Sequence, residues 1–293
     1  MEPVPGPGWE ALVGELIVLP GTVIVIGGVD SGKSTLVKYL VRKLVYGNRK
    51  VSLVDSDIGQ SSLGLPGTIS MKVFRGPKGL GRFRFQKMFF VGVTNPARKI
   101  ASVVTGTKRM VELCRKASRT VLVDTTGLVA GGVGSVLKVR KIQAVAPDHV
   151  IALQRNDELE HILGVMSGVR IHRLEVSEKA RIRSRAERVR YRRAKFDAYF
   201  RQPLSPFLLR SDKVIFLRGD RPFYPEEQIV PEGLLVGLNR GRNTVAVGAV
   251  TRAYPRAVTL LAPVMSLQKV DRILFGEIVY DLKNSLRCPY KRQ

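Results

Sequence analysis

The residues best suited to chemistry stand in a glycine-rich stretch, VIVIGGVDSGKST, at positions 23–35. Gly27, Gly32, Lys33 and Ser34 match the pattern G-x-x-x-x-G-K-[ST], after a β-branched run and before an apolar helical pattern. In such a loop the backbone N–H groups cradle phosphates, the lysine reaches the β- and γ-phosphates and the hydroxyl holds Mg²⁺. The spacing predicts a nucleoside triphosphate site, and a glycine-rich turn with a solvated lysine is the alternative. The loop alone leaves the fate of the γ-phosphate open, because switches, motors and kinases all use it.

Two carboxylates follow the next predicted strand, in DSDIGQSSLG at 55–64. Asp55 and Asp57 stand two positions apart, so on a strand end both point toward the same cleft. One would order the metal and its water shell, and the other would accept or orient the proton of an attacking hydroxyl. Gln60 adds an amide that can bond phosphate or sugar. The alternative is an Asx-type turn that caps the strand.

A third polar group ends the strand before VDTTGLVAGGVG at 123–134. Asp124 closes a hydrophobic run as a second metal-side carboxylate does. Thr125, Thr126 and Gly127 supply hydroxyls and backbone amides that can grip an incoming phosphate. A flexible glycine-rich connection is the alternative.

The segment 177–201, SEKARIRSRAERVRYRRAKFDAYFR, is rich in arginine. On a helix its apolar side chains form one stripe: Ile182, Val189, Phe196 and Phe200. Its arginines form a second stripe about a quarter turn away: Arg181, Arg185, Arg188 and Arg192. A row of like charges favours an anionic partner, either a triphosphate or a nucleic-acid backbone. A solvated basic helix of a heat-adapted protein is the alternative.

The elements that must position these residues follow an α/β pattern. Apolar runs predict four buried parallel strands, at 22–26, 51–55, 120–124 and 149–154. Helical patterns separate them, at 33–45, 96–117, 135–145 and 157–166. The organisation predicts a doubly wound, mostly parallel sheet of the P-loop NTPase class. An alternating stretch at 70–93 predicts a β-hairpin insertion beside the nucleotide site, and strand-like runs after residue 206 predict a small β-rich C-terminal domain.

The composition limits the classes of binding partner and metal site that we expect. The 293 residues include 49 Lys and Arg against 24 Asp and Glu, a net charge of +25 that favours a polyanion such as nucleic acid. A basic surface without a special partner stays open. The two cysteines, Cys114 and Cys288, have no metal-ligand spacing, so neither a zinc site nor a disulfide framework is predicted. The N-terminus lacks signal-peptide features, and we expect an intracellular protein with no membrane span.

Four motifs in order, GGVDSGKST, DSDIGQ, DTTGLV and the arginine helix ending in AYF, resemble the polynucleotide 5′-hydroxyl kinase family. That family includes the kinase-related subunit of the pre-mRNA cleavage factor and the kinases of ribosomal RNA processing. The resemblance covers about 21–200, includes VGVTNP at 91–96, and suggests a compact archaeal-type member. With the strand-like runs that follow, the predicted division is an N-terminal extension at 1–20, a P-loop kinase domain with the arginine helix at 21–205 and the β-rich domain at 206–293.

The resemblance also implies roles for individual residues. ATP and Mg²⁺ would be the cofactors, and a 5′-hydroxyl end of RNA, with DNA as a second candidate, would be the acceptor. The ATP phosphates would be held by the loop residues Gly27, Asp30, Ser31, Gly32, Lys33, Ser34 and Thr35. The metal candidates are Ser34, Asp55 and Asp124, and the general base would be Asp57. The acceptor end would be gripped by Gln60 and by a clasp of Thr125, Thr126 and Gly127. Arg188 and Arg192 would form a lid over the γ-phosphate, with Arg183 helping.

One residue departs from the family pattern. Members often carry a tryptophan after T-T-G that stacks on a base, and this chain has Leu128. Two rival functions stay open: a nucleotide-hydrolysing switch, and a non-catalytic ATP-binding scaffold of an RNA-processing complex. The fourth strand leads into QRND at 154–157 rather than the N-K-x-D of guanine-specific switches, which argues against the first rival.

Overall fold

The computed structural model of the chain describes residues 5–81 and 84–282. Its helices are α1 Trp9–Val18, α2 Lys33–Tyr46, α3 Ile100–Arg115, α4 Gly131–Val145, α5 Glu160–Leu163 and α6 Arg185–Phe200. The strands of the first part are β1 Thr22–Gly27, β2 Val51–Ser56, β3 Thr68–Phe74, β4 Lys87–Phe90, β5 Thr120–Thr125, β6 His149–Gln154 and β7 Arg170–Glu175. Those of the second part are β8 Ser205–Arg210, β9 Ile215–Arg218, β10 Arg221–Pro222, β11 Leu234–Arg240, β12 Asn243–Tyr254, β13 Ala257–Ala262 and β14 Arg272–Val279.

A parallel core sheet positions the site. Strands β2, β5, β1, β6 and β7 lie side by side in that order and are all parallel. Every residue of β1, β2, β5 and β6 is buried, because helices cover both faces. The carboxyl ends of these strands therefore meet at one edge of the sheet, which is where open α/β sheets bind ligands.

Helices pack on the two faces of this sheet through separate apolar clusters. On one face α1 and α2 contribute Leu12, Leu16, Leu36 and Leu40. On the other face α3 and α4 contribute Val103, Met110, Leu137 and Ile142. The predicted doubly wound architecture is confirmed. Among the described residues, no helix has the length and apolar character needed to cross a bilayer.

The β-rich C-terminal part joins the same sheet. The predicted hairpin is formed by β3 and β4, with β3 antiparallel to β2, so it extends the main sheet rather than standing apart from it. A single bridge, Thr244 to Met88, then connects β12 to β4. Residues 82–83 of the stretch predicted as a hairpin lie outside the described residues, as do 1–4 and 283–293, the latter including Cys288.

Several element boundaries differ from the predicted ones. The helix α4 begins at Gly131 rather than 135, and α5 is a single turn rather than the helix predicted over 157–166. The arginine helix begins at Arg185, because Ser184 and Glu187 form a capping box that starts it there. Residues 177–184 are therefore not helical, and the two predicted stripes lose their first members. The edge strand β7 and the helix α1 were not predicted.

Candidate active site

The phosphate-binding loop leaves β1 and enters α2 with its backbone amides unpaired. Gly32 has a φ of 88°, a left-handed conformation that suits glycine, and it directly precedes Lys33 at the start of the helix. A Cβ on Gly27 would lie 2.6 Å from the Leu153 carbonyl oxygen, so glycine is required where the loop leaves the strand. Within the described residues, no acceptor pairs with the N–H groups of Gly32, Lys33 or Ser34. Together with the helix N-terminus, these amides form a site for phosphate oxygens.

Lys33 is almost fully buried inside this loop. Its Nζ donates to the Gly28 carbonyl oxygen at 2.5 Å and to Ser31 Oγ at 3.2 Å. Burial lowers the pKa of Lys33, while the carboxylates of Asp124 and Asp57 oppose that shift. The ammonium group therefore lies within the field of three carboxylates, since Asp30 acts in the same direction, and a bound phosphate would further favour its charged form.

Asp55 organises the loop that follows β2. One of its oxygens accepts three hydrogen bonds, from Ser61 Oγ at 2.9 Å, Ser62 N at 2.7 Å and Leu63 N at 2.8 Å. The other oxygen accepts from the N–H of Asp57 at 3.1 Å. Burial raises the pKa of Asp55, and the hydrogen bonds counteract this rise. Both oxygens are engaged within the loop, whereas the sequence predicted that Asp55 faces the cleft as Asp57 does.

Asp57 is half-buried and keeps one oxygen available. Its Oδ1 accepts from Gly59 N at 2.9 Å and from Gln60 N at 3.0 Å, which is the Asx-type turn considered as an alternative. No described residue donates a hydrogen bond to Oδ2. The turn therefore fixes the carboxylate and leaves one oxygen for a donor on an incoming molecule. The Oε1 of Gln60 is also buried without a partner among the described residues.

Asp124 lies on β5 directly opposite Asp55 of β2. Its Oδ1 is buried and has no hydrogen-bond partner in the described part of the chain. Burial raises the pKa of Asp124 to about 7; Asp55 adds to this rise and a hydrogen bond with Ser34 opposes it. A buried carboxylate oxygen without a partner, beside the hydroxyl of a phosphate-binding loop, is a donor set that fits Mg²⁺.

The three residues after Asp124 lie under the phosphate-binding loop. Thr125 Oγ1 donates to the Val25 carbonyl oxygen at 2.7 Å, so this hydroxyl is used inside the sheet. Thr126 Oγ1 is buried and has no partner among the described residues. A Cβ on Gly127 would lie 2.7 Å from Val29 Cα, so Gly127 packs directly on the phosphate-binding loop. Thr126 is thus the threonine with a hydroxyl to offer.

The helix α6 docks on both loops. The guanidinium of Arg188 forms an ion pair with Asp30 at 2.6 Å, and the Arg188 carbonyl oxygen accepts from Gln60 Nε2 at 3.3 Å. One turn further, Tyr191 Oη donates to the Ser61 carbonyl oxygen at 3.0 Å. The helix therefore lies against the phosphate-binding loop and against the loop that carries Asp57.

The other two predicted lid arginines differ from Arg188. Arg183 precedes the helix. Its backbone N–H donates to Asp30 Oδ2 at 3.0 Å, and its guanidinium lies 5.6 Å from the centre of the Tyr191 ring. Arg192 is half-buried and forms no ion pair with a described residue. The structure brings Arg183 and Arg188 together at Asp30 and leaves the charge of Arg192 unpaired.

Three lysines that the sequence did not point to also border the site: Lys138, Lys141 and Lys195. Lys195 Nζ donates to the Ser62 carbonyl oxygen at 3.0 Å, which adds a third hydrogen bond between α6 and the Asp57 loop. Lys138 and Lys141 on α4 are completely buried. Burial lowers the pKa of Lys138 strongly and that of Lys141 to about 8. Their position on the apolar face of α4, beside Leu137, is the sequence signal that could have identified them.

A second polar cluster lies at the opposite, amino-terminal edge of the sheet. His149 Nε2 is 3.0 Å from the Leu19 carbonyl oxygen and must donate to it, so His149 Nδ1 accepts from His172 Nε2 at 3.0 Å. Glu15 lies 3.5 Å from the other nitrogen of His172. These hydrogen bonds pair both nitrogens of His149 without an ion, so the cluster acts as a structural link between α1 and the sheet.

Comparison with known proteins adds three findings. A family model described as the mRNA cleavage and polyadenylation factor CLP1 P-loop matches residues 27–202. A polyribonucleotide 5′-hydroxyl-kinase of Pyrococcus abyssi is 41% identical over 182 residues, which cover 62% of this chain and 51% of the relative. One of Thermococcus kodakarensis is 33% identical over 270 residues, which cover 88% of this chain and 76% of the relative. The chain thus spans about half the length of the Pyrococcus relatives it matches.

Among solved structures, a chain of the wild-type Clp1p–Pcf11p complex superposes with a TM-score of 0.73. The superposition covers 93% of this chain and 79% of that chain at 11% sequence identity, so it supports the fold alone. The family model covers more than half of the sequence and includes the phosphate-binding loop, the Asp57 loop, the T-T-G segment and the arginine helix. The chain belongs to the CLP1 P-loop family.

Proposed function

We propose that this chain is an ATP-dependent polynucleotide 5′-hydroxyl kinase, which transfers the γ-phosphate of ATP to the 5′-hydroxyl end of RNA, with DNA as a second candidate acceptor. The docking of α6 carries the proposal. Arg188 contacts Asp30 in the phosphate-binding loop with its side chain and Gln60 in the Asp57 loop with its carbonyl oxygen. One helix therefore spans the donor side and the acceptor side of a transfer site. The names of the archaeal relatives support the same activity.

On the donor side, the loop amides would hold the phosphates of ATP. Lys33 would contact the β- and γ-phosphates, and Arg188 and Arg192 would stabilise the charge that develops on the transferred group. Asp30 belongs to this loop, but its carboxylate bonds Arg188 rather than a phosphate, so its part is to place that arginine. Phosphoryl transfer needs little covalent help from the protein, and positioned charge accounts for most of the rate.

Ser34 and Asp124 are the residues that would hold Mg²⁺, since Asp124 Oδ1 is buried without a partner. When bound, the ion neutralises charge on the β- and γ-phosphates. Asp55, the third candidate, would act through the loop that it holds in shape, because both of its oxygens already accept hydrogen bonds.

On the acceptor side, Asp57 would accept or orient the proton of the 5′-hydroxyl with its available oxygen. Gln60 and Thr126 each have a buried polar atom without a partner among the described residues. Gln60 Oε1 would accept a hydrogen bond from a sugar hydroxyl, and Thr126 Oγ1 would donate with the Gly127 N–H to the terminal phosphate. Arg183, exposed beside the phosphate-binding loop, would add positive charge where the nucleic acid enters. These contacts address phosphate and sugar rather than bases, so we expect weak sequence preference.

The decisive experiment measures transfer from γ-labelled ATP to 5′-hydroxyl RNA and DNA oligonucleotides. We expect Asp57→Asn to lower kcat about 10²- to 10⁴-fold, the range for loss of a general base, with ATP binding retained. Asp220→Asn is the matched control: it makes the same chemical change in an exposed turn and should behave as the wild type.

Each rival function has its own outcome in this assay. Label released as free phosphate, with none on the oligonucleotide, would identify a hydrolysing switch. ATP binding without transfer or hydrolysis by the wild-type chain would identify a scaffold. The division of the chain at residue 205 stays a prediction, and expression of 21–205 alone would test it.

A further inference from the structure

The two buried lysines of α4 lie beneath the active site and have no part in the chemistry proposed above. Lys138 and Lys141 stand three positions apart on one face of the helix, and neither side chain is exposed. Burying an ammonium group is costly unless its hydrogens are paired. Within the described residues neither lysine forms an ion pair with a carboxylate, so their hydrogen bonds to hydroxyls and carbonyls must offset that cost.

Lys138 reaches the T-T-G segment from below. Its Nζ donates to the Thr126 carbonyl oxygen in a short hydrogen bond and to Thr125 Oγ1 at 2.9 Å. Thr125 Oγ1 in turn donates to the Val25 carbonyl oxygen of β1 at 2.7 Å. The ammonium group therefore links the T-T-G segment to the strand that leads into the phosphate-binding loop.

The hydrogen bond to Thr126 fixes the orientation of the next peptide group. No described peptide bond is cis, and in a planar trans peptide the C=O and the following N–H point in opposite directions. Because Lys138 draws the Thr126 carbonyl toward α4, the N–H of Gly127 must point away from α4. That N–H donates to no described residue, and Thr126 Oγ1 is likewise unpaired. The Gly127 N–H is thus left available on the side opposite Lys138.

Lys141 makes a different contact. Its Nζ donates to Ser56 Oγ at 2.9 Å, and Ser56 Oγ donates to the Asp124 carbonyl oxygen at 2.8 Å. This chain of hydrogen bonds ties the end of β2 to the end of β5 and does not touch the T-T-G segment. Lys141 is therefore an internal comparison for Lys138: equally buried, on the same helix, but linked to the carboxylate-bearing strands.

We propose that Lys138 is a positioning residue for acceptor binding: it turns the Gly127 amide outward, so that this N–H and the Thr126 hydroxyl bind the terminal phosphate of the nucleic acid. This inference rests on the proposed kinase function, because it names the group that prepares the acceptor site. Lys138 does not touch the substrate itself, since its side chain is fully covered. Loss of its ammonium group leaves the Thr126 carbonyl unpaired and lets the peptide rotate.

The test compares the KM for 5′-hydroxyl RNA with the KM for ATP in Lys138→Met, whose unbranched side chain is one atom shorter and lacks the amino group. We expect the KM for 5′-hydroxyl RNA to rise about tenfold to a hundredfold, as for loss of a hydrogen bond to a charged group, while the KM for ATP stays within about twofold. Leu137→Ala is the control for packing: it opens a cavity in the same helix and removes no hydrogen bond to the T-T-G segment, and both KM values should stay near those of the wild type. The proposal would be overturned if Lys138→Met changed the KM for RNA and the KM for ATP by the same factor, or if Leu137→Ala changed them as Lys138→Met does.

A measurement on the wild-type protein covers the case in which Lys138→Met does not fold. Hydrogen exchange of the Gly127 amide should be fast in the free protein and in the presence of a non-hydrolysable ATP analogue, and it should slow when 5′-hydroxyl RNA is added. A Gly127 amide that is already protected, or that RNA leaves unchanged, would overturn the proposal. Failure of the kinase is distinguishable, because absence of phosphate transfer by the wild type contradicts the proposed function, whereas the exchange experiment requires only RNA binding.

Discussion

Two arginines on the same helix show how position decides the role of a charge. Arg188 is only 30% exposed and pairs with Asp30 at 2.6 Å, whereas Arg185, one turn earlier, is exposed and forms no ion pair with a described residue. An aspartate in a phosphate-binding loop would repel ATP if it faced the phosphates. Asp30 instead accepts from Arg188 and from the Arg183 amide, so its charge is used to hold the lid in place.

This difference leads to a residue-level prediction. We expect Arg188→Met to lower kcat by about 10³-fold or more, the effect of removing an arginine from the transferring phosphoryl group, while Arg185→Met stays within about twofold of the wild type. Steady-state transfer to an RNA oligonucleotide under saturating ATP measures both. Similar losses in the two variants would mean that the helix contributes general positive charge rather than one placed guanidinium.

The same scale shows what the sequence can predict about the site. The spacing of Lys33, Asp57 and Thr126 predicted roles that stay predictions, and the structure places Lys33 within the field of the Asp57 carboxylate. The sequence could not predict that the oxygens of Asp55 already accept hydrogen bonds. Its partners are loop amides up to eight positions away, and only the folded loop brings them together. Lys138 was missed because a lysine in a helical pattern is normally exposed, and its burial depends on acceptors in a distant segment.

At the scale of elements, α6 connects the active site to the C-terminal strands. Its second half buries Phe196, Tyr199 and Phe200, and Phe200 stacks on Tyr280 at 5.1 Å between ring centres. Tyr199 Oη accepts from Val247 N of β12 at 2.9 Å. The strands after residue 205 therefore anchor the end of the helix whose other end meets the phosphate-binding loop.

The sequence predicted the bounds of some elements and not of others. The apolar stripe that predicted a helix from 177 depended partly on Ile182, which is 77% exposed and precedes the capping box at Ser184. The strand β7 was missed because it is an edge strand of exposed and half-buried residues, RIHRLE, rather than an apolar run. The four core strands were predicted within one residue because burial on both faces makes them continuously apolar.

The link between α1 and the sheet predicts a pH dependence of stability. Burial lowers the pKa of His172 below its usual value of 6.5, His149 and Arg170 add to this effect, and Glu15 opposes it. Near pH 6.5 the unfolded chain takes up a proton that the folded protein resists. The contribution to stability is therefore present above pH 6.5 and is lost as the pH falls through and below that value.

We expect the midpoint of thermal unfolding to fall less between pH 7.5 and 5.5 in His172→Gln than in the wild type. In Glu15→Gln the midpoint should fall more between these two pH values than in the wild type, because Glu15 favours the protonated imidazole. Scanning calorimetry at the two pH values measures the difference. If neither variant alters the difference between the two midpoints, another group is responsible for the pH dependence.

At the scale of the whole molecule, one sheet runs through both parts of the chain. The strand order places β12 beside β4, joined by a bridge between Thr244 and Met88. The sequence predicted a parallel core and a β-rich part after residue 206, because each shows its own local pattern. It could not predict that they share a sheet, since the joining pair is far apart in sequence and carries no local signal.

The net charge of +25 predicts how binding responds to salt. Each phosphate neutralised by lysine or arginine releases counterions, with a slope of about −0.7 per phosphate in log affinity against log salt for a single strand. If the basic surface contacts RNA beyond the transfer site, a 5′-hydroxyl 20-mer should lose affinity with salt more steeply than a 5′-hydroxyl dinucleotide, whose contacts are confined to the site. Measuring the KM of both acceptors between 50 and 200 mM KCl at fixed ATP gives the two slopes. Equal slopes would mean that only the residues around Asp57 and Gly127 contact the acceptor and that the surplus charge has another role.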